Sequence, residues 1–175
     1  KMPVFLASLR WEESENVAVL KPRTLKSVWT IDVKHGQSDE TRTGVTIDFD
    51  DVVDIEGSRG HAHLVLKFDI ATEKAHCSLL TTDDFHSKFK GKKQLLKQVP
   101  RAATADDEGE WVPFLAFEAR GLEVTKVHIG DDNFDVVSTH GTSFSPDLSD
   151  GGDWADYDKG PVSLTGFETK VDVLR

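Results

Sequence analysis

The chain has one cysteine, one methionine and one tyrosine in 175 residues, and no long apolar run. With Cys77 alone, an intrachain disulfide is impossible, and so is a zinc site built from several cysteines. No uninterrupted hydrophobic stretch approaches the roughly 20 residues that a membrane-spanning helix requires. An Asn-x-Ser/Thr acceptor is also missing, because Asn16 precedes Val-Ala and Asn133 precedes Phe-Asp. The opening "KMPVFLASLRWEE" turns acidic after a few apolar residues and lacks the layout of a secretory signal. These absences point to a cytoplasmic protein with no membrane contact.

Positive charge is scarce too. Lys and Arg number 21 against 31 Asp and Glu, for a formal net charge of −10. Such a balance repels nucleic-acid phosphates unless a local patch prevails. The one basic stretch, "KFKGKKQLLKQVPR" at 88–101, reads as a solvated loop or short helix. Phe89 is its only aromatic residue, too few for a stacking platform on single strands. No nucleic-acid partner is expected.

What is present is strand signal. "PVFLASLRW", "SVWTIDV", "VTIDF", "HAHLVLKFDI", "HCSLLT", "WVPFLAFEA", "LEVTKVHI", "FDVVST" and "SLTGFETKVDVL" are short runs rich in β-branched and aromatic residues. Several alternate polar with apolar residues, and turn residues such as "KHGQSDE" and "EGSRG" separate them. Only residues 83–98 have a helical pattern, weakened by Gly91. The expected fold is all-β: a single 1–175 domain of two β halves packed like a sandwich. "PVFLASLR" near the start echoes "VPFLAFEAR" at 112–120, which suggests related halves at 1–81 and 111–175. Residues 82–110, one short helix or loop with linker-like composition, would connect them.

The pair His61 and His63 heads an apolar run. Read as one strand, His61, His63, Val65 and Lys67 share a face, while Ala62, Leu64, Leu66 and Phe68 share the face toward the core. Two histidines at i and i+2 can chelate a metal if a third ligand arrives; His35, Asp39 and Glu40 are candidates by type. The alternative is a solvated or hydrogen-bonded pair with no metal. The aspartate-crowded stretch 131–158 lacks the EF-hand order, and "THGTSFSP" lacks a nucleophile elbow. Trp154 and Tyr157 either plug the end of the sandwich or line a pocket with Arg59, His61 or His63.

Four segments in order, "EGSRGHAHLVLKF", "FEARGLEV", "GTSFSPDLSDGGDWADYD" and "GFETKVDV", resemble the DUF866 (UPF0587) family of CXXC-motif-containing zinc-binding proteins. The matching positions are Gly57, Arg59 and Gly60; Arg120, Gly121, Leu122 and Glu123; Gly141 and Phe144; and Trp154, Asp156, Tyr157 and Asp158. The resemblance spans nearly the whole chain. It implies an all-β fold of two related halves and a zinc held by two C-x-x-C pairs. The first pair would fall on His35 and Ser38, the second on Phe68 and Ala71. This chain therefore departs from its relatives at all four ligands. Phe68 and Ala71 cannot ligate through their side chains, and Cys77 alone cannot rebuild the site.

The expectation is a protein without zinc or other cofactor, a degenerate metal site filled by hydrocarbon, and a monomer or weak homodimer. It would bind a small molecule or a protein, with Arg59, Phe68 and Trp154 as candidate binding residues. The alternative is a cofactor-free enzyme of isomerase, dehydratase or cyclase type, suited to secondary metabolism. His35, His61, His63, Asp156 and Tyr157 would then supply acid–base groups in a cleft.

Overall fold

Alternating side chains and glycine-punctuated turns resolve into antiparallel strands around one main core. A computed structural model describes residues 2–24, 27–149 and 152–175. The first half contributes β1 (Val4–Arg10), β2 (Glu13–Glu15), β3 (Val17–Pro22), β4 (Val28–His35) and β5 (Thr41–Asp48). It continues through β6 (Val53–Asp54), β7 (His61–Ala62), β8 (Leu64–Leu66) and β9 (Ala75–Leu79). The connector carries α1 (Thr82–Lys88), α2 (Lys93–Leu96), β10 (Ala103–Thr104) and a 3-10 turn, Ala105–Asp107. Then come β11 (Val112–Arg120), β12 (Leu122–His128), β13 (Phe134–Ser138) and β14 (Ser143–Phe144). The last strands are β15 (Trp154–Asp156), β16 (Val162–Thr165) and β17 (Glu168–Leu174).

The main sheet has five strands in the order β17-β1-β11-β9-β8. Around it stand the smaller sheets β10-β3-β13-β14, β12-β4-β5 and β15-β16-β2, with the ribbon β6-β7. The two echoing segments are neighbours: β1 and β11 pair antiparallel, with Phe5 opposite Phe117. Both strands are buried on both faces, which explains why they read as near-continuous apolar runs rather than alternating ones.

The main core centres on aromatic rings. Phe134 lies 6.1 Å from Trp29, 5.2 Å from Phe114 and 5.6 Å from Phe167, centroid to centroid. These edge-on contacts are the geometry that aromatic quadrupoles favour. A second, smaller core lies on the other face of the main sheet, where Phe85 and Phe89 meet Val4, Leu6 and Ala116.

The connector differs from a single helix or a free linker. Helix α1 starts at a capping box, in which Thr81 and Asp84 satisfy each other's backbone N–H groups. The chain then turns at Gly91, with φ of 81°, before α2 begins. Phe85 anchors α1 on the sheet, and β10 pairs with β3. The few apolar residues of this polar segment are the ones that dock.

Replacing Phe134 by Ala should cost about 3–5 kcal/mol of unfolding free energy, and replacement by Leu clearly less. Equilibrium urea denaturation followed by fluorescence and circular dichroism measures both. A loss under about 1 kcal/mol for the alanine variant would show that this aromatic cluster is not the centre of the core.

Candidate functional site

The hairpin of β4 and β5 closes at residues 35–40, where the His35 N–H donates to the Glu40 carbonyl at 2.8 Å. Ser38 Oγ lies 2.8 Å from His35 Nδ1 and also accepts the Glu40 N–H at 3.3 Å. After β8 a second turn forms, in which the Ala71 N–H donates to the Phe68 carbonyl at 3.2 Å. The two turns meet. The rings of His35 and Phe68 are 5.1 Å apart, and Phe68 is fully buried.

One carboxylate ties the turns together. Glu40 Oε2 accepts the Asp69 N–H at 2.9 Å, and its Oε1 accepts the Ile70 N–H at 3.0 Å. Arg42, two residues along β5, donates to Glu40 Oε2 at 2.6 Å and to Asp69 Oδ1 at 3.2 Å. The Arg42 guanidinium carbon also lies 5.4 Å from the centre of the Phe68 ring. Backbone N–H donation from Asp69 and then Ile70 holds the Glu40 carboxyl below its ordinary pKa. Partial burial opposes this, while Arg42 and His35 reinforce it.

The structure thus brings together His35, Ser38, Phe68 and Ala71, the positions that the resemblance assigns to zinc. Their chemistry does not suit the ion. The His35 ring faces a hydroxyl and a benzene ring, and Phe68 and Ala71 offer only hydrocarbon. Among the described residues no group of three or more His, Cys, Asp and Glu side chains converges. Cys77 is buried in the main core, and burial pushes its pKa up, which makes it inert as a thiolate.

The histidine pair lies elsewhere, and not on one continuous strand. The chain bends at His63, so β7 pairs with β6 while β8 pairs with β9. As the sheet's edge strand, β8 leaves Leu64, Val65 and Leu66 all half-buried instead of alternating. Phe68 alone regains full burial.

His61 Nδ1 is 2.9 Å from Asp54 Oδ1 on the neighbouring strand. His63 Nδ1 accepts the Leu79 N–H at 2.8 Å, and its ring rests 4.7 Å from that of Phe49. Burial lowers the His63 pKa, although Asp84, Asp48 and Asp51 pull the other way. Both histidines line a cleft of about 380 Å³ with Ser78, Asp84 and the Lys88–Glu118 ion pair.

The remaining candidates do not join this cleft. Arg59 is exposed on the turn between β6 and β7. Trp154 packs on Phe144 at 5.5 Å, and Asp156 accepts the Asp158 N–H at 3.0 Å. Tyr157 is 73% exposed, so it plugs nothing. Asp150 and Gly151 in the same acidic stretch lie outside the described residues. Sequence reasoning named Glu40 only as a spare metal ligand and passed over Arg42. The signal was their spacing: two apart across the start of a strand, they share one face.

Acid should weaken the fold at two places, the His63 cleft and the Glu40 joint. A group whose folded pKa is depressed contributes stability above its unfolded pKa and loses it as pH falls through the folded value. For His63 that loss begins below the ordinary 6.5; for Glu40 it begins below 4.5. Thermal melts from pH 7 to pH 3 should show both steps. Glu40→Gln should shrink the lower one, to which Asp32 and Asp107 also contribute, and leave the upper. An unchanged acid profile in that variant would mean that the carboxylate carries no charge-dependent link.

Comparison with known proteins places this geometry in a family. No curated protein matches the chain. A crystal structure titled C1orf123 aligns with a TM-score of 0.79 and 22% identity, covering 98% of this chain and 99% of that one. A hypothetical protein from Plasmodium falciparum aligns with a TM-score of 0.78 and 23% identity, covering 97% and 99%. At that identity both establish the fold. The family model described as "CXXC motif containing zinc binding protein, eukaryotic" matches residues 10–172, nearly the whole chain. The chain belongs to this eukaryotic CXXC-motif zinc-binding family, on whose all-β frame its own turns are built.

Proposed function

We propose that this chain is a metal-independent binding protein, in which a carboxylate bridge replaces the zinc bridge of its family. The observation that carries this reading is Glu40. Its two oxygens take the N–H groups of Asp69 and Ile70 from the facing turn, where a shared metal would otherwise join the loops. Phe68 fills the space between them, fully buried against His35. A frame that keeps its two loops joined after losing thiolates retains a use for their arrangement. That use is recognition of a protein or small molecule by a cytoplasmic monomer or weak homodimer.

A second reading draws on the histidine cleft. Asp54 at His61 Nδ1 favours a lone pair on Nε2, whereas the Leu79 N–H at His63 Nδ1 favours a proton on Nε2. One cleft then holds a proton acceptor beside a proton donor, the pairing that cofactor-free isomerisation uses. Deuterium exchange at the α-carbon of hydroxyacetone, lost in His61→Phe, would support it. Exchange at the buffer rate would remove it.

The binding reading has a direct test. The purified chain should contain no stoichiometric zinc, and chelator should leave its melting temperature unchanged. The quadruple variant H35C/S38C/F68C/A71C should take up one zinc per chain and melt higher with the metal than without. Stoichiometric zinc in the natural chain, or a large drop in melting temperature with chelator, would overturn the reading.

A further inference from the structure

The outer face of the main sheet is only partly covered. Phe85 and Phe89 dock on its Val4, Leu6 and Ala116 end. Beyond them a trough of about 520 Å³ stays open, bounded by the chain after α2, by Trp111 and by β17. Its floor is one cross-strand row, Pro113 beside Ser8 beside Lys170. Ser8 is 5% exposed, and it lines the open trough.

The lining of the trough carries Lys97, Arg101, Lys170 and Arg175 against one acid, Asp172, in an acidic protein. Lys97 and Arg101 line it from the connector and Lys170 from β17. Arg101 is fixed by two hydrogen bonds to Asp107, and Lys170 lies 3.2 Å from Asp172. Lys97 has no acidic partner among the described residues, and neither do Lys90, Lys92 and Lys93 on the same connector. Yet the chain has 31 acidic residues to pair with them. The Gln98 side-chain amide is also unpaired among the described residues, while its backbone N–H donates to the Leu95 carbonyl. The open trough therefore offers unused donors and positive charge, with apolar ground at Leu6, Val173 and Leu174.

We propose that this trough is the docking site for an acidic, extended segment of a partner protein. The assignment rests on the binding reading above and gives it a partner class. Carboxylates of the segment meet Lys97, Gln98 and the Ser8 hydroxyl, and apolar side chains between them lie on Leu6, Val173 and Leu174. A nucleic acid fits less well. The Arg10 guanidinium carbon and Lys170 Nζ lie 4.6 and 4.5 Å from the Trp111 ring centre, so that ring is already engaged by two cations of the chain itself. The net charge of −10 also repels a polyphosphate more than a short acidic segment.

The test selects random displayed peptides on the full chain, then measures the best synthetic peptide by fluorescence anisotropy. The selected pool should be enriched in Asp and Glu, and binding should weaken with added salt. Lys97→Glu should weaken it about tenfold, since a like charge then faces the ligand. Lys97 is exposed, so its variant should melt like the natural chain, and Ser8→Ala should weaken binding independently. Acidic peptides whose binding ignores both substitutions would overturn the trough while sparing a binding function elsewhere. A pool with no acidic enrichment would overturn the partner class, and tighter binding of single-stranded DNA of equal charge would replace it with nucleic acid. Zinc content and chelator melts, read on the same preparation, report separately on the metal-independent reading.

Discussion

Two turns from distant parts of the chain are joined by one carboxylate. Glu40 reaches across from the β4–β5 hairpin and accepts the N–H groups of Asp69 and Ile70, which the second turn leaves unpaired within itself. Arg42 neutralises the acid and covers the Phe68 ring from the same strand face. The contact is directional: two N–H groups 2.9 and 3.0 Å from two different oxygens fix the relative position of the loops, as a metal would. It also needs no oxidation state and no metal supply, only an ionised acid.

Magnitudes decide what such a replacement can and cannot do. A structural zinc contributes on the order of 10–16 kcal/mol to folding. Full burial of one phenylalanine contributes about 1.5–3 kcal/mol. Phe68 and a solvent-accessible carboxylate do not approach the metal's share. The frame must therefore stand on its own, and the aromatic core around Trp29, Phe114, Phe134 and Phe167 and the paired strands β1 and β11 supply that stability. The joint sets local geometry, and its opening is a local event rather than global unfolding.

Fold class was legible because period-2 patterning and glycine turns act locally. The runs that became β1, β4, β11 and β17 stood out as strands from their composition alone. Gly91 was legible as a weak point in one helix, and the structure makes it the turn between two. What depends on pairing between distant segments was not. The run 61–68 looks like a single alternating strand, but His63 switches partners there, and no local pattern records that switch. The connector looked like a linker because Phe85, Phe89 and Ala103 are outnumbered by polar neighbours. At the joint, Phe68 as hydrocarbon filling was readable from residue type. Glu40 as a bridge was not, since its partners are backbone N–H groups, which carry no sequence signature.

The relation between Glu40 and those two N–H groups is open to direct measurement by backbone amide hydrogen exchange, with chelator present throughout. The account predicts slow exchange at Asp69 and Ile70 in the natural chain and fast exchange in Glu40→Ala, while core amides such as Phe117 stay protected in both. Fast exchange in the natural chain, or protection that appears only when zinc is added, would contradict it.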